Sequence, residues 1–409
     1  MGAGPSSVAN SDRGDGVLAE IEATHFSGGV ARRGATIVRG EGSTIVDERG
    51  RSFVDLSAAH GWAALGHTHP RVTQAIREQA ETLVCLTESA FNDQRALWLR
   101  ELTELLRDEL GVSQRGALSR VHASNSGAEA IEAAIKAARA FTGRSEIVSF
   151  QRGFHGRTLG ALSATARQAY RKPFEPLVPD FKQLPYNDVG ALEAGVTQRT
   201  GAVIVEVVQG EGGVHVATGD FLMALRAACD RAGALLVVDE IQTGLGRTGR
   251  WFASQHFDLA PDILVLGKAL GGGVPMGATV WREGLGVFPG ASHGSTFGGG
   301  PLACAASRAV LAVMREEGIP ERSDSLGRRV VQRLSGAEAK VVREVRGLGL
   351  MVGVELRRKV TPILRTLMDR GIWALPAGMN VLRLLPPLTI AQPELDEAVT
   401  VVLEVLHDA

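Results

Sequence analysis

Two residues that close apolar runs have the types needed for covalent chemistry. Asp239 ends "GALLVVD" and Lys268 ends "DILVLGK". Neither run shows polar alternation, which suits strands buried on both faces of a parallel sheet. Ligands of open α/β sheets gather outside the carboxyl ends of such strands. A lysine there can form a Schiff base with an aldehyde, and a neighbouring carboxylate can hold a proton on a pyridine nitrogen. The pair fits pyridoxal phosphate; on this ground alone it fits a structural ion pair comparably well. Only six of the 44 basic residues are lysines, and Lys136, Lys172, Lys182, Lys340 and Lys359 all lie in polar or helical stretches.

A third stretch separates the two readings. "NSGAEAIEAAIKAARAF" starts a helix at Asn125-Ser126-Gly127-Ala128, with Ile131, Ala134, Ile135, Ala138 and Phe141 as its apolar positions. Small residues at the start let backbone N–H groups approach a phosphate, and the helix dipole favours the anion. In isolation a Ser-Gly start is an ordinary N-cap. A literal G-x-G-x-x-G, Gly244 to Gly249, follows Asp239. It fails as a dinucleotide fingerprint: "DEIQT" separates it from the strand, no clean helix opens at its glycines, and the next strand ends on a lysine instead of an acid. It reads as a glycine-rich surface loop.

The elements that must position these residues follow from pattern. "ATIVRGEGSTIVDERGRSFVDL" reads as an antiparallel meander. From Arg71 the periodicity is helical through "ALWLRELTELLRDEL". "EIVSF", "GAVIVEVV", "GALLVVD" and "DILVLG" are buried strands, and "FLMALRAACDRAG", ending at Gly233, links two of them. That is a βαβ pattern, hence a doubly wound α/β domain. After Pro301 a helix leads to a smaller α+β unit containing "GLGLMVGVEL", a helix around Ile363 to Asp369, and "NVLRLLP". The expected division is a disordered tail (1–16), a segment packing with the small domain (17–66), a large cofactor domain (67–306) and a small C-terminal domain (307–409).

Composition bounds the rest. The chain is 44% hydrophobic and 22% charged with net charge -1, so no overall pull on nucleic acid or membrane is expected. Cys85, Cys229 and Cys304 lack metal spacing and suit a reducing cytosol. The start has no apolar signal-peptide core, and no apolar run is long enough to span a membrane.

From about Ile37 onward the chain resembles the class III, ω-type, pyridoxal-phosphate-dependent aminotransferases. Within them it is most similar to the acetylornithine and ornithine enzymes and their carrier-protein-linked relatives of lysine biosynthesis. The motifs that carry the resemblance are "LGHTHP", "NSGAEA", "FHGRTLGALS", "VEVVQGEGG", "VVDEIQTGLGRTG", "LGKALGGGVPMGA", "HGSTFGGGPLA" and "NVLRLLPPL", in the family's order. The resemblance implies fold type I: a large domain with a mostly parallel sheet and a small α+β domain. It implies that Lys268 carries the cofactor and that Asp239 faces its ring nitrogen. Ser126, Gly127 and Ala128 would cradle the phosphate, Phe154 would stack on the ring, and Gln242 would lie near its phenolic oxygen. Ser295 and Thr296 would reach the partner subunit's cofactor, so a homodimer is expected. Arg157 and Arg383 would bind substrate carboxylates, with Glu211 paired to Arg383. His155 would pack behind the site and not act as an acid.

The activity implied is transfer of a terminal amino group from an acetylornithine-like donor to 2-oxoglutarate, in the cytoplasm. A donor linked to an acidic amino-group carrier protein, 4-aminobutyrate and ornithine are the alternatives. An aminomutase or racemase on the same fold is a more distant one. A carrier would want a basic rim, for which Arg32, Arg33, Arg171, Lys172, Arg357, Arg358 and Lys359 are candidates. Three departures stand out. Gly300 replaces the family's usual asparagine, Val30 lies where acetylornithine enzymes often carry tyrosine, and His60 and Trp62 occupy a substrate-facing loop. His60 and Trp62 are expected to set donor specificity and to leave the 2-oxoglutarate half-reaction nearly unchanged.

Overall fold

The computed structural model describes residues 16–30, 32–113 and 115–409. The tail expected over 1–16 lies outside them except for Gly16, which is the N-cap of helix Val17–His25. The meander forms as read: β1 (Ile37–Glu41), β2 (Thr44–Asp47) and β3 (Ser52–Asp55) pair antiparallel. The helical stretch after Arg71 is two helices, Pro70–Thr82 and Asp93–Leu110. Asn92 restarts the second by accepting from Arg95 N–H at 3.0 Å, a side-chain cap inside an otherwise periodic run.

The central sheet takes β4 (Leu118–Ser124), β5 (Glu146–Phe150), β6 (Phe181–Leu184) and β7 (Thr200–Val205). After a short hairpin of β8 (Val208–Gln209) and β9 (His215–Val216) come β10 (Leu235–Asp239), β11 (Ile263–Leu266) and β12 (Gly277–Arg282). The order is β4-β12-β11-β10-β7-β5-β6. Pairing is parallel from β11 through β10, β7 and β5 to β6, and β12 alone runs against its neighbours. Because β12 is antiparallel to both β11 and β4, β4 points the same way as the other five. Six strands therefore deliver their carboxyl ends to one edge. The order reverses between β5 and β7, which is the switch point where such sheets open a crevice. All five residues of β10 and all four of β11 are buried, so these strands are covered on both faces.

Helix Gly127–Thr142 crosses one face of this sheet. Its buried set is Ala130, Ile131, Ala133, Ala134, Ile135, Ala137 and Ala138, the i, i+3, i+4 stripe of an amphipathic helix. The C-terminal unit holds β13 (Val342–Leu348), β14 (Met351–Leu356), β15 (Ile372–Trp373), β16 (Leu375–Ala377) and β17 (Val381–Leu384). Four of these form a sheet in the order β13-β14-β17-β16, while β15 leaves it to pair parallel with β3. The N-terminal meander is thus stitched to the C-terminal unit. Helix Pro301–Glu316 runs unbroken across residue 306.

The expectation of a surface loop at Gly244 to Gly249 is corrected. Every residue from Gly244 to Gly249 is buried. Left-handed turns at Gly246 (φ 85°) and Gly249 (φ 91°) fold the loop against the helix that begins at Ile319. The Arg247 side chain, 2% exposed, donates to the carbonyls of Leu350 (3.0 Å) and Pro386 (2.6 Å). Burial pushes its pKa down to about 9. The glycines serve close approach between two units, not solvent exposure.

Candidate active site

The loops after β4, β5, β7, β10 and β11 converge on a cavity of about 290 Å³ at the switch-point edge. Gly127, Ala128, Phe154, Arg157, Glu211, Asp239, Gln242 and Lys268 line it, together with His155 and Glu206. A larger hollow of about 630 Å³ lies between helices Pro70–Thr82, Asp93–Leu110 and Pro301–Glu316, and its arginines are paired, Arg308 with Glu101 and Arg315 with Asp108.

Lys268 follows β11 in a left-handed conformation, φ 43°. A non-glycine residue there is strained, and such strain collects at sites where the surroundings fix one geometry. Burial is the largest influence on its ammonium and pushes its pKa down; Glu211 opposes this, Arg383 adds to it and Asp239 opposes it. Asp239 closes β10 and is 4% exposed. Its Oδ1 accepts from Ile241 N–H at 3.0 Å and its Oδ2 contacts His155 Nδ1 at 2.7 Å. A carboxylate can only accept, so Nδ1 is the protonated ring nitrogen. Burial alone would lower the pKa of His155, but its hydrogen bond to Asp239 and the charge there raise it.

At the other end, Ser126 Oγ accepts from Glu129 N–H at 3.2 Å and starts helix Gly127–Thr142. The first N–H groups of a helix have no intrahelical partner. A Cβ at Gly127 would stand 2.9 Å from Ile241 Cδ1, so only glycine lets this turn lie against the loop after Asp239. An anion cradle, a buried amine and a buried carboxylate on a histidine thus surround one cavity, with the Phe154 ring in its wall. That set of groups fits pyridoxal phosphate.

Arg383 comes from β17 of the C-terminal unit and is fully buried. Its Nη1 lies 2.6 Å from Glu211 Oε1 and also donates to Gly210 O (2.8 Å) and Gln242 Oε1 (3.2 Å). Burial would push the Glu211 carboxyl up, but Arg383 first, with Lys268 behind it, holds it well below the usual range. Arg157 stands at the mouth with its guanidinium 4.7 Å from the Tyr170 ring, and Arg167 lies 4.8 Å from the same ring.

The structure therefore brings Lys268, Asp239, Gly127, Ala128, Phe154, Gln242, Arg157, Glu211 and Arg383 together, with Ser126 capping the cradle. The Gln242 amide is committed to Arg383 and to His60 O, which it donates to at 3.2 Å. Ser295 and Thr296 do not line the cavity: Ser295 Oγ accepts from Asn125 Nδ2 at 3.1 Å, and Thr296 is exposed. Trp62 is 37% exposed and also outside the lining. His60 touches the Glu211–Arg383 pair, not a separate donor pocket. Of the basic-rim residues, Arg32 pairs with Glu22, Arg33 stacks on Trp373, and Arg358 donates to the carbonyl of Ala409.

Sequence reasoning passed over Glu206. It follows β7, whose Val205 pairs with Val238, so the next residue along lies beside Asp239. Its Oε1 accepts from Phe154 N–H at 2.8 Å. Burial pushes its pKa up to about 7, against the pull of His155. The only signal in the sequence was an acid inside the apolar run "GAVIVEVV".

A family profile described as "Aminotransferase class-III" matches residues 28–406. An acetylornithine aminotransferase of Methanopyrus kandleri is 45% identical over 376 residues, 91% of this chain and 94% of that one. A [LysW]-aminoadipate semialdehyde transaminase of Deinococcus radiodurans is 43% identical, covering 95% of this chain and 89% of the other. Among solved structures, the ornithine aminotransferase of Toxoplasma gondii superposes with a TM-score of 0.92 at 32% identity, covering 99% and 98% of the two chains.

Proposed function

This chain belongs to the class-III aminotransferases, pyridoxal-phosphate-dependent transaminases of fold type I, and we propose that it moves the terminal amino group of an acetylornithine-like donor to 2-oxoglutarate. The observation that carries this reading is the Glu211–Arg383 pair at 2.6 Å beside Lys268. One pocket must accept a donor whose reacting carbon bears no carboxylate and an acceptor whose reacting carbon bears one. An arginine masked by a displaceable glutamate meets both needs.

When bound, pyridoxal phosphate supplies an electron sink for the charge left as a proton departs the amine-bearing carbon. The protein's own groups do the rest. Ser126, Gly127 and Ala128 would hold the phosphate. Phe154 would cover one ring face, and Asp239, held by His155, would keep the ring nitrogen protonated. Gln242 is assigned to the phenolic-oxygen side. Lys268 would hold the cofactor and, as a free amine, its Nζ would take the proton from the amine-bearing carbon and return it to the carbon on the far side of the nitrogen. Its lowered pKa favours the neutral, basic form. Arg157 is assigned the distal carboxylate of the donor, and Arg383 the carboxylate next to the reacting carbon of 2-oxoglutarate or glutamate, which displaces Glu211.

Ser295 and Thr296, outside the cavity of their own subunit, are assigned to the cofactor of a partner in a homodimer. The three free cysteines, Cys85, Cys229 and Cys304, suit a cytoplasmic enzyme. Relatives named as [LysW]-linked transaminases, at 43% and 41% identity, support a second reading, a donor attached to an acidic carrier protein. The test is a panel of donors with 2-oxoglutarate: free N-acetylornithine, ornithine, 4-aminobutyrate and carrier-linked amines. Glutamate formation fastest with N-acetylornithine is expected. Turnover confined to carrier-linked amines establishes the second reading, and no glutamate from any donor refutes both.

A further inference from the structure

Ala58, Ala59 and His60 have consecutive positive φ angles of 39°, 49° and 63°. Residues with a Cβ avoid this region, so three in a row are kept only where neighbours enforce them. Ser57 Oγ accepts from Ala59 N–H at 3.2 Å, Gly61 N–H donates to Ser57 O at 3.1 Å, and Gln242 Nε2 holds His60 O at 3.2 Å. The strained turn presents the His60 ring to the charged pair at the centre of the proposed switch.

One ring atom faces both members of that pair. His60 Nδ1 is 3.3 Å from Arg383 Nη2 and 3.6 Å from Glu211 Oε1. A guanidinium only donates and a carboxylate only accepts, so Nδ1 can serve one or the other but not both at once. With Glu211 paired to Arg383 Nη1, the shorter contact is that from Arg383 Nη2, for which Nδ1 accepts and the ring proton sits on Nε2. When a substrate carboxylate takes the guanidinium, Glu211 loses its ion pair and needs a donor. Gln242 Nε2 already donates to His60 O, and Lys268 is assigned to the cofactor and the moving proton. His60 Nδ1, 3.6 Å from Glu211 Oε1, is a donor already beside it. The His60 side chain is 58% exposed, so Nε2 can release its proton to water as Nδ1 takes one, with no net change in charge.

We propose that His60 is the docking post for Glu211 in the acceptor half-reaction, a positioning residue that catches the displaced carboxylate and so frees Arg383 for the substrate. This rests on the reading of Glu211 and Arg383 as a switch. It moves the expected effect of His60 from the donor half-reaction to the 2-oxoglutarate half-reaction.

Glutarate, an unreactive dicarboxylate, probes the post without turnover. Its Kd on the holoenzyme is measured by calorimetry. His60→Phe should weaken glutarate about three- to tenfold, the effect of a half-exposed hydrogen bond to a charged group. KM for 2-oxoglutarate should rise with it, while the donor single turnover stays within about twofold. His60→Asn should restore binding, because asparagine tolerates positive φ and its amide both donates and accepts. His60→Gly relaxes the turn without supplying a donor, so it must behave like His60→Phe and stands in if the bulkier variant does not fold. With Glu211→Ala as background, His60→Phe should not weaken glutarate, since there is no carboxylate to catch. An equal loss in that background, or no loss in the Glu211-intact enzyme, overturns the docking post. Glutarate affinity that is not increased by Glu211→Ala itself overturns the switch, and the docking post with it.

Discussion

Glu211→Ala should separate the two half-reactions. Arg383 is fully buried, and its Nη1 keeps Gly210 O at 2.8 Å and Gln242 Oε1 at 3.2 Å after the carboxylate is gone. Removing one member of a buried pair costs about 3–5 kcal/mol when nothing compensates. Here two acceptors remain and the Glu211 side chain is 28% exposed, so solvent shares the loss. A cost of about 1–2 kcal/mol remains when an aliphatic donor chain faces the arginine, or roughly a tenfold fall in donor kcat/KM. The acceptor no longer has to displace a competing carboxylate, so its kcat/KM should rise by a comparable factor. The ratio of the two then moves by roughly a hundredfold. The assay is single-turnover absorbance of the cofactor, with donor on the aldehyde form and with 2-oxoglutarate on the amine form. The sign of the pH effect is also fixed. The folded-state pKa of Glu211 is depressed, so the pair is intact above the ordinary carboxylate range and fails only as pH falls below it. The preference of the unmodified enzyme should therefore not change between about pH 8 and pH 5 on account of this pair. Equal slowing of both half-reactions in Glu211→Ala would show that the glutamate is structural.

Other expectations follow from different contacts. Lys268→Ala and Thr296→Ala subunits, each impaired alone, should regain activity when mixed, because one of the two shared sites is then intact. Additive loss, or a fully active monomer by ultracentrifugation, refutes shared sites. Arg247→Ala leaves the carbonyls of Leu350 and Pro386 unpaired and should cost about 2–4 kcal/mol in urea unfolding; a change under about 0.5 kcal/mol would mean water replaces the guanidinium. Burial raises the folded-state pKa of Glu206 to about 7, well above the ordinary carboxylate range, so the folded protein holds a proton that the unfolded chain gives up. Stability should fall as pH rises through that interval, and Glu206→Gln should flatten the fall in thermal melts from pH 5 to 8. Parallel curves for the two proteins would place the proton elsewhere.

The legible parts of this fold are those whose signal is local. The strands β10 and β11 are buried along their whole length, and that burial writes itself as unbroken apolar runs ending at Asp239 and just before Lys268. Helix Gly127–Thr142 carries its cap, its stripe and its terminal Gly143 within one window. The strands β4 and β12 were not read. β4 mixes buried and exposed positions at the sheet edge, and β12 owes its antiparallel direction to its partners rather than to its own residues. The loop at Gly244 to Gly249 is buried for a reason its own residues do not carry. Glycine richness marks freedom of φ, and only packing against the Ile319 helix and two distant carbonyls decides that the freedom is used inside the protein.

The site divides along the same line. Asp239 and Lys268 were visible because each is the last event of a strand, and their neighbourhood follows from strand pairing alone. Glu211 and Arg383 come only from resemblance: one sits in the turn between β8 and β9 and the other on β17 of another sheet, and no period in the sequence relates them. Glu206 and His60 were harder still. The meaning of Glu206 depends on sheet register, which sets it beside Asp239, and on Phe154, which donates to it from the loop after β5. His60 matters because a left-handed turn, held by Gln242, aims one nitrogen between two charges from different parts of the chain. The charged residues hardest to infer are thus those whose cost of burial is met by partners far away in sequence. In this cavity burial lowers the Lys268 pKa while Glu211 and Glu206 raise it, and the Lys268 charge in turn pulls both of those carboxyls down, so the three protonation states are linked. Substituting Glu211 or Glu206 should therefore move the titration of Lys268, and substituting Lys268 should move theirs, which a pocket proposed to alternate between an uncharged chain and a carboxylate requires.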